Sequence, residues 1–283
     1  MLIFLHCLFC IFSRHRGIDL FQEVIYMLDL GSIFRRNKNV LSFLGMLAAV
    51  VLIFGAVNSP AIVGASAVTR ELPVYSVERP DKVVAMSFDA AWGNEDTQTI
   101  IDIMQKYGIQ TTFFVVGDWV DKYPESVKAL ADAGHEVMNH STSHAHFSKL
   151  SEDQIVSDVE NCNSKIAAVT GVRPTLFRCP YGEYDDHVIR AVRSIGMTAV
   201  QWDVDSLDWK GISAAEISER VLKKVSPGSI VLFHNAAEHT PEALPTIIES
   251  LQSQGYTIVP VSQILLKGEY TIDNTGRQHP LSR

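Results

Sequence analysis

The side chains of this sequence best suited to move protons or hold a cation are Asp89, His140, His144, Arg178, Asp205, Asp208 and His234. Two imidazoles four positions apart, His140 and His144, would meet one metal ion from a single helical turn or tight loop. A carboxylate such as Asp89 is a natural base for a water molecule, and an adjacent cation such as Arg178 would keep it ionised. His234 would act as a proton donor if an acidic neighbour, Asp205 or Asp208, raises its pKa. Taken singly, each of these residues would more often cap a loop or close a salt bridge. Their positions along the chain argue against that.

Short β-branched or aromatic runs recur at Val83–Phe88, Thr111–Val116, His135–Asn139, Thr175–Phe177, Thr198–Val204, Ser229–Phe233 and Tyr256–Val261. They are continuous rather than alternating, as expected of strands buried on both faces. Helical patterns lie between them. Ile100, Met104 and Tyr107 share a face, as do Ile155, Val159, Cys162 and Ile166, and Leu244, Ile247, Ile248 and Leu251. Ser151 with Gln154 and Ser213 with Glu216 read as capping boxes, and Thr240-Pro241 places proline at a first helical position. Glycines at 108, 134, 171, 196, 228 and 255 each precede the next strand, where a left-handed cap turns the chain back. Seven strands alternating with six helices predict an α/β fold with a parallel sheet, open or closed into a barrel. Asp89 follows the first strand, His140 and His144 the third, Arg178 the fourth, Asp205 and Asp208 the fifth, and His234 the sixth. Sites in parallel α/β folds are built at that C-terminal edge, so five strand ends agreeing favours function.

Five ordered motifs in residues 80–265 resemble those of the polysaccharide deacetylases with a NodB-homology domain, carbohydrate esterase family four. They are Ser87-Phe88-Asp89-Ala90, His140-Ser141-Thr142-Ser143-His144, Arg178-Cys179-Pro180-Tyr181-Gly182, Asp205-Ser206-Leu207-Asp208-Trp209 and Leu232-Phe233-His234. The resemblance implies a deformed (β/α) barrel of about seven parallel strands, with the site at the strand C-terminal ends, and metal-assisted removal of acetyl groups from glycans. Amide hydrolysis needs an activated water, a group that polarises the carbonyl and an acid for the leaving amine. The catalytic set so implied is Asp89 as base, Arg178 as its partner, and His234 as acid beside Asp205 or Asp208. The backbone N–H of Tyr181 is the family's oxyanion donor, and Tyr181, Trp209 and Leu232 are the expected substrate-binding residues. Trp92 and Trp202 are further aromatic candidates for sugar stacking. His140 and His144 are the expected ligands of a divalent metal, Zn or Co. One departure bears on that cofactor: Ala90 stands where many members place the Asp that completes the metal site. Asn94, Glu95 and Asp96 are the nearby groups that would have to substitute, and His146 reads as a surface histidine. The string Phe88-Asp89-Ala90-Ala91-Trp92-Gly93 is similar to that of sporulation-associated deacetylases of endospore-forming bacteria, which implies peptidoglycan as the acetylated glycan.

The 283 residues comprise 47% apolar residues, 24 Lys and Arg, and 32 Asp and Glu, for a formal charge of −8. That balance excludes a disordered chain, and it argues against a nucleic-acid partner, which needs clustered cations. Four cysteines exclude a disulfide scaffold, and Cys7 and Cys10 have ligand-like spacing without a second pair. The mean hydropathy of +0.10 is high, and the run Val40–Val57, preceded by Arg35, Arg36 and Lys38, accounts for it. Basic flank, apolar run and small residues are the order of a membrane span or signal segment, with Ala65-Ser66-Ala67 as a cleavage site. The expected organisation is a leader or anchor at 1–70 and a catalytic domain at 71–283, outside the cytoplasmic membrane, with a loose polar tail after Gly268. Met27 is an alternative start. Two other classes stay open: a degenerate barrel that binds glycan without turnover, and a glycoside hydrolase built on Asp203, Asp205 and Asp208.

Overall fold

The computed structural model describes residues 38–57 and 70–281, and the chain divides into two units, Met1–Thr69 and Arg70–Arg283. Cys7, Cys10, Met27 and the cleavage site at 65–67 lie outside the described residues.

The first unit contributes helix α1 (Lys38–Val57). Nine large apolar side chains between Phe43 and Phe54 are exposed on it. Among the described residues no helix is long and apolar enough to cross a membrane. The apolar run 40–57, expected as a span or signal segment, lies within this helix.

In the second unit an eight-stranded sheet runs in the order β6-β5-β4-β3-β2-β8-β7, with β9 also paired to β2. The strands are β2 (Val83–Ala90), β3 (Thr112–Val115), β4 (Glu136–Asn139), β5 (Leu176–Phe177), β6 (Thr198–Ala199), β7 (Val204–Asp205), β8 (Ile230–His234) and β9 (Thr257–Val259), and all their pairings are parallel. The run expected as one strand at Thr198–Val204 is two. Between its halves, Val200 bridges Val74 and Gln201 N donates to the Val74 carbonyl at 2.7 Å. The segment before β2 thereby occupies the gap between β6 and β7, which is how the barrel departs from a closed ring.

Strand β2 shows how the sheet sorts its side chains. Val84, Met86, Phe88 and Ala90 join a core with Ile100, Met104, Leu244 and Ile247 of the covering helices. Ala85 joins Phe114, Met138, Val200 and Ile230 in a second core inside the barrel. The strand period of two puts Ser87 and Asp89 on that inner face. Parallel register sets Ser87 beside Leu232 and Asp89 beside His234 on β8. Phe88, on the outer face, stacks on Phe113 and Phe233 at 4.9 and 5.4 Å.

Helices α2 (Thr97–Lys106), α3 (Gly117–Lys122), α4 (Pro124–Asp132), α5 (Glu152–Thr170), α6 (Asp186–Ser194), α7 (Ala214–Lys224) and α8 (Thr240–Ser253) cover the sheet, and α9 (Val261–Ile264) follows β9. Both expected capping boxes form, at Ser151 with Gln154 and Ser213 with Glu216. The tail after Gly268 is not loose. Strands β10 (Tyr270–Ile272) and β11 (Arg277–Pro280) pair with each other, and β11 pairs with β1 (Ser76–Val77). Buried Gln278 accepts from Leu266 N at 3.0 Å. The tail's polar composition concealed strands held chiefly by backbone pairing.

Candidate active site

Asp89, near the end of β2, is buried, with Arg178 Nη1 donating to its Oδ1 at 2.7 Å. Arg178 is itself completely buried. Its Nη2 donates to Ser87 Oγ at 2.8 Å and to the Gln201 carbonyl at 3.1 Å, and its guanidinium lies over the rings of Phe114 and Trp202. The Ser87 hydroxyl in turn donates a hydrogen bond to the Val231 carbonyl at 2.8 Å. Burial raises the Asp89 pKa, but the Arg178 cation, with His140 and His234, holds the carboxyl below its ordinary value. The result is a carboxylate kept charged in an apolar barrel, with Oδ2 turned toward His140 Nε2 at 3.5 Å.

His140 follows β4, and its Nδ1–H donates to the Arg178 carbonyl at 2.8 Å. That partner only accepts, so Nε2 carries the lone pair. Burial lowers the His140 pKa and is the main cause that takes His144 down to about 4, leaving both rings neutral near pH 7. The two ring centroids are 5.0 Å apart. Their loop is shaped by buried Asn139, whose Oδ1 accepts from Ser141 N at 2.7 Å while its Nδ2 anchors to the Val159 carbonyl and to Asn163. Ser141 Oγ in turn accepts from His144 N at 2.8 Å.

Across the barrel mouth, His234 ends β8. Asp208 Oδ1 lies 2.8 Å from His234 Nδ1, and Asp208 Oδ2 accepts from His234 N at 2.7 Å and from Thr240 Oγ1 at 2.7 Å. Burial would lower the imidazole pKa, but the Asp208 hydrogen bond and charge, then Asp89 and Asp205, raise it above its ordinary value. Of the two carboxylates expected beside His234, Asp208 makes the contact. Asp205 instead accepts from Leu207 N at 2.8 Å and shapes the turn that delivers Asp208.

Pro180–Gly182 forms a 3-10 turn with Tyr181 at φ 59°, ψ 6°. The Tyr181 ring is exposed at the rim, lies 4.3 Å from the His144 ring and stacks on His146, whose Nδ1 pairs with Glu183 at 2.6 Å. Trp209 is exposed beside Asp208. Leu232 is buried next to Ser87, so its side chain does not reach the rim. Trp202 lies beneath Arg178, and a Cβ at Gly182 would sit 3.1 Å from its ring. Cys179 is buried with its thiol pKa raised by that burial, an inert neighbour.

The residues do not fit the three-ligand metal centre that the resemblance implies. Ala90 is packed in the helix-facing core. Asn94 Nδ2 donates to Ser126, Glu95 accepts from Asn94 N, and Asp96 accepts from Ala236 N. Among the described residues no group of three or more His, Cys, Asp or Glu side chains is arranged to hold a metal ion. His140 and His144 alone remain of the expected set.

Asn139, Asn235 and Thr240 support the site without belonging to any of the five motifs. The first two are buried polar residues at the ends of apolar strands, which is the signal the sequence offers for them; Thr240 is marked in the sequence only as the residue before a helix-starting proline.

A family model for polysaccharide deacetylase matches residues 76–200. The peptidoglycan-N-acetylmuramic acid deacetylase PdaC of Bacillus subtilis is 35% identical over 189 residues, 67% of this chain but only 40% of that protein. The peptidoglycan-N-acetylmuramic acid deacetylase PdaA of Bacillus subtilis is 30% identical over 201 residues, 69% of this chain and 76% of that protein. The crystal structure of a CE4 family pseudoenzyme from Bacillus anthracis superimposes with a TM-score of 0.66 at 34% identity, over 68% of each chain; a mutant of that protein has restored enzymatic activity. Five motifs at one barrel mouth, with these likenesses in sequence and fold, place the chain in the polysaccharide deacetylase family.

Proposed function

We propose that this chain hydrolyses N-acetyl groups on a cell-wall glycan of the peptidoglycan type. One observation carries the reading: Asp89 and His234 are register neighbours on β2 and β8 with pKa values driven in opposite directions. Groups pushed apart in this way supply a charged base and a protonated acid at the same pH. In the proposed reaction Asp89 takes a proton from water as its oxygen attacks the acetyl carbonyl. The Tyr181 backbone N–H stabilises the oxyanion, and His234 Nε2 protonates the leaving nitrogen as the C–N bond breaks, giving acetate and a free amine. Arg178 keeps Asp89 ionised. Trp209 and Tyr181 supply exposed ring surfaces for the sugar. The unit from residue 71 onward is the catalytic part. The apolar run at 40–57 supports an anchor or export signal that places it at the wall, outside the cytoplasmic membrane.

A second reading, a barrel that binds acetylated glycan without turnover, is favoured by Ala90 in place of a ligand and by the likeness to a pseudoenzyme. A glycosidase is disfavoured, because Asp203 is engaged by Ser229 Oγ and Ile230 N, each at 2.8 Å, and Asp205 by its own turn. The deciding assay incubates the full chain with peptidoglycan and N-acetylglucosamine oligomers, with Zn²⁺, with Co²⁺ and with no added metal. Acetate release that Asp89→Asn and His234→Ala suppress is the expected result. Binding without acetate under all three conditions moves the assignment to the second reading, and new reducing ends move it to a glycosidase.

A further inference from the structure

The loop leaving β2 lays Trp92 over His234. Their ring centroids are 5.9 Å apart with planes within 17°, and the indole remains 48% exposed. The contact is held from several directions. Asn235, the residue after His234, is buried, and its Nδ2 donates to the carbonyls of Trp92 at 2.8 Å and Gly93 at 2.7 Å. Trp119 Nε1 donates to the same Gly93 carbonyl at 2.6 Å. Ala236 N donates to Asp96 Oδ2 at 2.9 Å. Gly93 adopts φ +53°, and a Cβ there would lie 2.6 Å from Ala236 Cβ, so the loops after β2 and β8 touch where only glycine fits.

We propose that Trp92 is a positioning residue for His234: the clamped indole fixes the tilt of the imidazole and covers one of its faces, keeping the protonated ring aimed across the site. The proposal deepens the deacetylase reading and rests on it. Asp208 fixes the imidazole within its own plane through Nδ1 but leaves tilt out of that plane free, and a stacked ring restrains that motion. An aromatic face also favours imidazolium over neutral imidazole through its quadrupole and excludes water from that side. The charged groups bearing on His234 are Asp208 from the turn after β7, Asp205 from β7, and Asp89 from β2, with the His140 and His144 rings opposite. Trp92 acts beside this set without contributing a charge.

The test titrates histidine-labelled full-length chain by NMR, identifying the His234 signal by its loss in His234→Gln, and measures acetate release against pH in parallel. Trp92→Ala is expected to lower the His234 midpoint by about half a pH unit. It moves the alkaline limb of the activity profile down by the same amount and lowers kcat more than it raises KM. Trp92→Phe, which keeps a ring, is expected to restore most of both. An unchanged midpoint in Trp92→Ala, or equal shifts in the Ala and Phe variants, overturns the proposal. If wild-type protein releases no acetate, the deacetylase reading falls, while the NMR titration still decides the role of Trp92.

Discussion

The two ends of the barrel are made from the same strands but solve different problems. At the C-terminal edge, Ser141, His144, Tyr181, Leu207 and Ala236 all adopt positive φ, and they are the non-glycine residues that do so among those described. Each lies in a loop following β4, β5, β7 or β8. At the opposite edge the turns into strands place glycine at positive φ, at 108, 134, 196, 228 and 255. Left-handed backbone costs an L-residue about 1–2 kcal/mol and glycine little. The lower edge therefore avoids strain, while the mouth stores it in the loops that carry the site residues. The ions are distributed likewise. Buried Arg178, Asp89 and Asp208 sit at the mouth, whereas Glu136 at the lower edge accepts from neutral Thr112 and Ser262 hydroxyls.

On that contrast, the largest effects on chemistry come from the mouth. Asp208→Asn is expected to lower acetate release on the order of 10²–10⁴-fold while the circular dichroism spectrum stays native; retained activity would remove Asp208 from the acid pair. Asp89→Ala should cost stability as well, about 3–5 kcal/mol in urea unfolding, because it strands the Arg178 charge in the barrel. At the lower edge, Gly228→Ala sets a Cβ 1.7 Å from the Val77 carbonyl, with an expected loss of about 3 kcal/mol. The surviving folded fraction should keep its kcat. A changed kcat would show that the two ends are coupled.

A smaller effect separates strain from stability. Leu207→Gly should hold or raise stability by up to about 1 kcal/mol as the left-handed strain is relieved. It should lower acetate release several-fold by loosening the turn that carries Asp208. Release unchanged by this substitution would mean that the strained turn serves packing alone.

The subtlest difference is in pH. His135, buried at the lower edge, has its pKa lowered to about 4 by burial. Its folded form binds fewer protons than the unfolded chain, so its contribution to stability is lost as pH falls from about 6.5 toward 4. His234 has the opposite sign: its contribution is complete below about 6.5 and is lost as pH rises through its elevated folded value. Urea midpoints measured across pH should flatten on the acid side in His135→Gln and on the alkaline side in His234→Gln. The same flank changing in both variants would break the contrast.

Much of this was legible in residue order. Continuous β-branched runs, paired helix caps and glycines before strands define a parallel α/β barrel because each rests on local backbone preference. The polar residues after the strands mark the working edge because continuous apolar strands offer them no other place. Three features were not legible. The run at 198–204 splits because Val200 and Gln201 pair with Val74, more than a hundred residues away. The tail forms strands because β1 offers it a backbone edge, and pairing of that kind leaves little trace in composition. The choice between Asp205 and Asp208 depended on the turn after β7, since the two lie only three positions apart.

What the sequence determined alone is which groups meet at one edge of the barrel, because strand polarity and helix caps are local properties. Only the tertiary structure decided which carboxylate charges which histidine, that Ala90 faces the helices, and that Trp92 covers His234. Those outcomes depend on register between distant strands and on loops clamped to one another, where an ångström decides whether groups interact.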